Sequence, residues 1–394
     1  MSSISNKTLD QLVEADFQAL ISASVEEKQV LEYKQLLLVS RDDDKKEFLT
    51  DVASFANSAG GDILFGIRTV GGVPVELSGI DLSNIDAEKQ RIDNLISNGI
   101  TPRLRFELGV ITLSNSKFLL IVRIPKSWTM PHAVILGGSW KFFFRTSSGK
   151  QQYDYSLLRR AFIQSESLRQ NLKTFHFERL EKIENEELAL SVKQPFLILH
   201  LLPFESFESE CNIDVSNLRS IHSQLSPFSA SSYDYFYNFD GFRTQSVSPN
   251  YLEYVQVFID GKLECLSTEI SFEHSSHNYL AVSSVEDDLL RMMLQVIPFY
   301  KSKMVNPPLA ILLSLVNVRN LEFGSSIRFS GADPKPIDRN SLIFSPLIIH
   351  DYSDLSEPEK IASRFKPFFD SLWNSFGFSR CLDFNTAGRW QPNR

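Results

Sequence analysis

Between Asp44 and Ile67 the chain reads as a helix, a glycine turn and a strand in immediate succession, and this run constrains the fold more than any other segment. Asp44 stands before Lys45-Lys46-Glu47 as a capping residue with its glutamate three positions on. Phe48, Val52, Phe55 and Ala56 then fall on one helical stripe. Asn57-Ser58-Ala59-Gly60-Gly61 ends the helix, because glycine readily takes the positive φ of a helix-ending turn. Asp62 to Ile67 reads at once as a strand. The first domain is therefore predicted to be α/β, with a mixed sheet and a helix before and after the Asp62 strand.

Around this run, Thr8 to Ile21 carries an amphipathic helical pattern, and Gln29 to Gln35 alternates so that Leu31 and Tyr33 share one face. A weaker helix is predicted near Ala87 to Ser97. Arg105 to Leu113 and Lys117 to Pro125 form a hairpin pattern, Trp140 to Thr146 a further strand, and Asp154 to Ser165 a closing helix. At 394 residues the chain is two to three times a typical domain of ~150. The expected division is residues 1–172, a charged linker or helix over 173–192 that includes the solvated-looking stretch Glu178 to Glu187, and a second α/β domain over 193–394. In that second part Pro195–Pro203, Leu309–Val318 and Ser341–His350 read as strands, and Val285–Tyr300 and Glu359–Phe376 as helices. Tyr254–Ile259 and Lys262–Ser267 flank an Asp260-Gly261 hairpin turn, while Phe204 to Asn250 shows no clear period.

The formal net charge is −8, which gives no overall attraction to nucleic acid or an anionic membrane, but it is unevenly distributed. Residues 100–170 hold 11 Lys/Arg against 3 Asp/Glu, or +8, between acidic flanks. No apolar stretch approaches the ~20 residues of a membrane span, and no basic region leads into an apolar run at the start, so a cytoplasmic protein with no membrane partner is expected. Cys211, Cys265 and Cys381 lie far apart, as reduced buried thiols do.

Glu27-x-x-x-x-Glu32-Tyr33-Lys34 and Val52-Ala53-Ser54-Phe55-Ala56-Asn57-Ser58-Ala59-Gly60-Gly61-Asp62-Ile63-Leu64-Phe65-Gly66-Ile67 resemble the Schlafen-type AlbA_2 domain, also described as the divergent AAA-4 or DNA-binding domain. Met130-Pro131-His132 and Phe142 to Ser148 are similar to the family's later proline-histidine element and its arginine-bearing strand. The resemblance covers about Leu9 to Phe162. Phe369-Asp370-x-Leu372-Trp373-Asn374 and Gly388-x-Trp390 look like the C-terminal part of bacterial chains that carry this domain, a part with no activity attached.

The resemblance implies binding of RNA or DNA and, in some members, metal-dependent cleavage of tRNA by three carboxylates. Two of these positions match Glu27 and Glu32, which would be the catalytic and metal-holding pair, with Mg²⁺ or Mn²⁺ needed only in that catalytic case. The third acid falls by register at Thr69, beside Arg68, which could instead neutralise the glutamates. Asp62 lies roughly 23 Å away along an extended strand, whereas Glu76 and Asp81 follow a Gly71-Gly72 turn that could fold back. No ATP site is expected, since Ser148-Gly149-Lys150-Gln151 lacks the rest of a phosphate loop.

The leading expectation is a nucleic-acid-binding protein in which Lys34, Arg103, Arg105, Arg123, Lys126, Lys141, Arg145 and Lys150 hold phosphates, with Trp128, Trp140 and Phe142 as stacking surfaces. For Phe142 to Phe144 core packing is the favoured reading over stacking, because strand aromatics usually pack. Two alternatives stand beside it. One is a Mg²⁺- or Mn²⁺-dependent endoribonuclease acting on tRNA-like RNA through Glu27 and Glu32, in antiphage or stress defence. The other is a regulatory or scaffold protein without nucleic-acid affinity. A homodimer fits chains of this kind, although no heptad or apolar patch in the sequence argues for it.

Overall fold

In the computed structural model, all residues are described except 1–3, 5–6, 28, 38–41, 147–148, 188–193, 208–212, 229, 249–250, 325–333, 386 and 393–394. Cys211 lies outside the described residues; Cys265 and Cys381 are buried free thiols. The chain divides into two compact units, Met1–Ser167 and Leu168–Arg394, both α/β. Among the described residues no helix is long and apolar enough to cross a membrane.

The first unit runs α1 (Glu14–Ser22), β1 (Leu31–Lys34), α2 (Asp42–Ala56), β2 (Gly60–Phe65), β3 (Ile67–Val70), β4 (Val73–Leu77), α3 (Ile85–Gly99), β5 (Ile100–Thr101), β6 (Glu107–Thr112), β7 (Phe118–Pro125), β8 (Ala133–Leu136), β9 (Ser139–Thr146) and β10 (Gly149–Gln152). Helix α4 (Tyr155–Lys182) begins here and ends in the second unit. One sheet has the order β1-β2-β7-β6, with β1 parallel to β2 and the other pairs antiparallel. A second, antiparallel sheet has the order β10-β9-β8-β5, and β3-β4 form a separate hairpin.

Strand alternation sends Ile63, Phe65, Leu120 and Val122 to one face of the first sheet, against Phe48, Val52 and Phe55 of α2 and Ile92 and Ile96 of α3. Leu31, Tyr33, Leu64 and Ile121 go to the other face, against Phe17 and Leu20 of α1. The turn after α2 needs glycine twice. Gly60 has φ +78°, and a Cβ there would sit 2.7 Å from the Lys126 nitrogen; one on Gly61 would sit 2.5 Å from the Phe55 ring.

The closing helix expected over Asp154–Ser165 runs on to Lys182 as α4, and two helix starts differ. The Thr8–Ile21 pattern is a 3₁₀ turn, Leu9–Gln11, followed by α1, because Leu12 and Val13 are extended and Asp16 Oδ2 accepts the Val13 N–H to start the true helix. Helix α2 begins at Asp42, so Asp44 lies within its first turn instead of capping it, and all three aspartates sit at the positive end of the helix dipole.

The second unit continues with β11 (Phe196–Pro203), β12 (Asp234–Asn238), β13 (Gly241–Ser248), β14 (Tyr251–Phe258), β15 (Leu263–Ser267), β16 (Ser271–His274), β17 (His277–Ala281), α5 (Val282–Ser302), β18 (Leu309–Val316), β19 (Glu322–Gly324), β20 (Ser341–Ile343), β21 (Leu347–Ile349) and α6 (Pro358–Asn374). Its main sheet is antiparallel in the order β12-β13-β14-β15-β11-β18-β20, with β21 also on β18. The predicted strand Ser341–His350 is split by a segment holding Pro346, which has no N–H to give a ladder. Phe204 to Asn250, without period in the sequence, contains β12 and β13.

Leu197, Leu199 and Leu201 face α5 and α6, whereas Phe196 and Ile198 face Leu180 and Ile183 at the end of α4. Part of the stretch expected to be solvated is thus core, and Arg179 is buried with it. Beneath α4 lies a buried polar chain. Ser314 Oγ meets His176 Nε2 at 2.8 Å, His176 Nδ1 meets His200 Nδ1 at 2.6 Å, and His200 Nε2 meets Glu264 Oε2 at 2.8 Å. Arg179 grips both Glu264 oxygens at 2.7 and 2.6 Å, and Tyr254 donates to Oε1 at 2.9 Å.

Two Nδ1 atoms in contact can share only one proton, so protonating both rings sets N–H against N–H. Burial, and then the neighbouring His200, push the His176 pKa down to about 3. Unfolded histidine takes up its proton near pH 6.5, so between pH 6.5 and 3 the unfolded state binds more protons and stability falls as pH falls. Unfolding free energies of the second unit, measured by denaturant melts, should therefore fall on acidification from pH 7 to 4.5, approaching about 1.4 kcal/mol per pH unit below 6.5, and a His176→Asn variant should flatten that slope.

Candidate functional site

Three local periodicities bring charge together in the first unit. On β1, Glu32 and Lys34 are two residues apart and point to the face opposite Leu31 and Tyr33. On α2, Glu47 and Asp51 are four residues apart and share one helix face. On the β9-β10 hairpin, Arg145 and Lys150 are directly opposed. The three pairs meet. Lys34 Nζ lies 2.5 Å from Glu47 Oε1, 3.1 Å from Glu32 Oε1 and 3.5 Å from Asp51 Oδ2. Lys150 Nζ lies 2.9 Å from Asp51 Oδ1, and Arg145 Nη2 pairs with Glu32 Oε2. Arg145 is buried, its guanidinium 4.2 Å from the centre of the Phe55 ring.

Glu27 stands at the edge of this cluster. Its N–H donates to the Gly72 carbonyl at 2.9 Å, and its Oε1 accepts the Tyr33 N–H at 3.1 Å. Burial, and then the charge of Glu32, raise its pKa. Burial would raise Glu32 too, but Arg145 and Lys34 hold it below the ordinary value. Burial likewise raises Asp51, against the pull of Lys150. Burial works against the charge on Lys34, yet Asp51, Glu47 and Glu32 keep its pKa above normal. Asp51 and Glu47 are the members that sequence reasoning missed; their signal was the four-residue spacing beside the apolar stripe of α2.

Residues 27–154, which carry all of these groups, match the model of the Schlafen AlbA_2 family. This segment is a Schlafen AlbA_2 domain. Among solved structures, the chain is similar to the DIP2311 protein from Corynebacterium diphtheriae at 16% identity, over 36% of this chain and 26% of that one, with a TM-score of 0.25. It is also similar to the N-terminal domain of a RecG-related protein from Nitrosomonas europaea at 21% identity, over 33% of this chain and 84% of that one, with a TM-score of 0.27. The chain thus spans about a quarter of the first of these. No curated protein sequence matches it.

Among the described residues of this AlbA_2 domain, the acids are not grouped to hold a divalent metal. All four carboxylate oxygens of Glu32 and Asp51 face a cation of the chain itself. Thr69 lies on β3 at an irregularity in the β3-β4 pairing. The acids that could replace the missing carboxylate are engaged elsewhere: Glu76 pairs with Arg68 at 2.8 Å, Asp81 with Lys117 at 3.5 Å, and Asp62 with Arg123 at 2.8 Å. Arg68 therefore does not neutralise the glutamates. Among the described residues no three His, Cys, Asp or Glu side chains are placed to hold a metal.

The basic residues of the AlbA_2 domain separate into two sets. Arg145, Lys150 and Lys34 belong to the ion-pair cluster. Arg123, besides holding Asp62, donates to the Lys7 and Ile4 carbonyls at 2.5 and 2.9 Å, so it fixes the N-terminal segment. Arg103, Arg105 and Lys141 are exposed, and Lys126 lies 4.5 Å from the centre of the Trp128 ring. Trp140 is 65% exposed, whereas Phe142 packs edge-on to Phe162, Phe144 packs on Tyr153, and Phe143 joins the core.

His132 and Asn57 serve the frame. His132 is buried, with Nδ1 2.7 Å from the Pro102 carbonyl and Nε2 2.6 Å from Ser127 Oγ, and burial lowers its pKa. Asn57 Nδ2 donates to the carbonyls of His132 and Phe143 at 2.9 and 2.8 Å, and its Oδ1 accepts the His132 N–H at 2.7 Å.

Proposed function

We propose that the N-terminal unit binds nucleic acid, RNA or DNA, through the surface carried by β8, β9 and the segment after β5. The supporting observation is the placement of Arg103, Arg105 and Lys141, exposed and without an ion pair among the described residues, on the same sheet and its exit as the exposed Trp140. Cations not consumed internally are the ones that can replace counterions on phosphates, and an exposed indole offers a stacking face to an unpaired base. The AlbA_2 membership agrees with this reading. The ion pairs made by Glu32 and Asp51 give no support to metal-dependent cleavage of a tRNA-like substrate.

The test is fluorescence anisotropy of labelled single-stranded RNA, tRNA, single-stranded DNA and duplex DNA across a salt series, with the intact chain. Arg103→Ala/Arg105→Ala/Lys141→Ala should weaken binding at low salt by roughly tenfold or more, and flatten the slope of log K against log salt by about 2 to 3. Affinity unchanged for every probe would sink the assignment. Absence of any salt-dependent retention in the wild type would favour a regulatory or scaffold protein.

A further inference from the structure

We infer that the nucleic acid is held single-stranded, its unpaired bases stacking on an aromatic platform formed by Trp140 of β9 and Phe162 of α4, with Arg159 on a phosphate beside them. The inference rests on the nucleic-acid reading above and names the strand state that this reading leaves open. Alternation along β9 sends Phe143 into the core with Val134, so Trp140 and Phe142 point to the outer face of the β10-β9-β8-β5 sheet. The start of α4 covers part of that face: Phe162 meets Phe142 edge-on, with ring centres 6.2 Å apart, and both residues belong to the first unit. The cover stops before Trp140. Among the described residues its ring touches no other ring or cation and its N–H makes no hydrogen bond, and its cross-strand partner Ile135 is itself 39% exposed. Phe162 is 53% exposed alongside its contact with Phe142. The β8-β9 turn is Gly137-Gly138, with nothing within 4 Å of either Cβ position, so it places no side chain over the indole.

Charge decides what this face takes. Contiguous exposed apolar surface marks a binding site, and here it lies within the +8 stretch, whose only acids are Glu107, Asp154 and Glu166. Lys141 separates Trp140 from Phe142 in the sequence, and Arg159 stands three residues before Phe162, which makes the two neighbours on the helix surface. Both cations are exposed and without an ion pair among the described residues. A second copy of this chain would set the same cations against one another. Nucleic acid brings phosphates to the cations and flat rings to the aromatics. In a duplex the faces of the bases are covered by their neighbours, so only an unpaired strand offers both to this surface.

The test uses the intact chain with labelled oligo(U), oligo(dT) and a duplex of equal length, followed by anisotropy across a salt series. Wild type should bind the single strands roughly tenfold or more tighter than the duplex. Trp140→Ala and Phe162→Ala should each weaken single-strand binding by roughly fivefold or more, with native circular dichroism, an unchanged salt slope and unchanged duplex affinity. Trp140→Phe keeps a stacking ring, so it should retain most of the affinity while losing the tryptophan quenching that single strands cause in wild type. Arg159→Ala should lower the single-strand salt slope by about 0.7. If both alanine variants bind single strands like wild type while Arg103→Ala/Arg105→Ala/Lys141→Ala is still impaired, the platform is overturned and the nucleic-acid reading stands. If wild type retains no probe, both fall. Dimerisation that Trp140→Ala abolishes, without any effect of that variant on RNA or DNA, would give the patch to a second copy and overturn the inference as well.

Discussion

Replacing Asn57 by alanine should destabilise the first unit by about 2 to 5 kcal/mol, because two buried backbone groups and one partly buried one lose their partner at once. The amide carries the hydrogen bonds that tie the end of α2 to β9 and to the turn before β8. Water cannot replace it, as Asn57 is 4% exposed and His132 fully buried. The isosteric Asn57→Asp should be almost as harmful, since a carboxylate offers no donor to the His132 and Phe143 carbonyls. Hydrogen exchange resolved by peptide would show early opening of α2 and β9, with the second unit unchanged. Protection in α2 equal to wild type would mean that these bonds add nothing to stability.

Glu264→Ala should cost the second unit about 3 to 5 kcal/mol, the usual result of removing one partner from a buried ion pair. The variant leaves the Arg179 guanidinium under α4 without its carboxylate and strips His200 Nε2 and the Tyr254 hydroxyl of their acceptor. Pairing with Arg179 and His200 outweighs the burial of Glu264 and holds its pKa down to about 2. The ionised form is therefore the one that the fold requires. Glu264→Gln keeps the shape and one acceptor and should recover only part of the loss. Urea melts followed by exchange in β11 and β15 would measure both; a loss below about 1 kcal/mol for the alanine variant would show that the network is incidental.

The parts of the fold that were legible were written locally. The α2–turn–β2 run, the β6-β7 hairpin and α5 carry their periodicity and punctuation within a few residues, so no distant partner is needed to recognise them. What stayed hidden depends on register between remote segments. Glu32 and Lys34 are visible as an acid and a base on a strand, but only folding brings Arg145 onto one and Glu47 and Asp51 onto the other. Arg145 and Arg123 looked like surface cations because a buried, paired guanidinium and a solvated one have the same letter. β12 was missed because Tyr235 and Tyr237 on one face and Phe236 on the other leave no alternation of polar and apolar. The buried His176 and Arg179 stood in a stretch whose charge suggested solvent.

Helix α4 has a consequence for how this protein can be cut and recombined. A boundary drawn in the charged region near residue 193, where composition invites it, would take His176, Arg179, Leu180 and Ile183 away from the sheet they cover. The remaining piece would present Glu264, His200 and Ser314 to water in the middle of an eight-stranded sheet, a sticky polar-aromatic face in place of an interior. Grafting the C-terminal unit onto another partner, in the laboratory or through gene fusion, should succeed only when the segment from Leu168 travels with it.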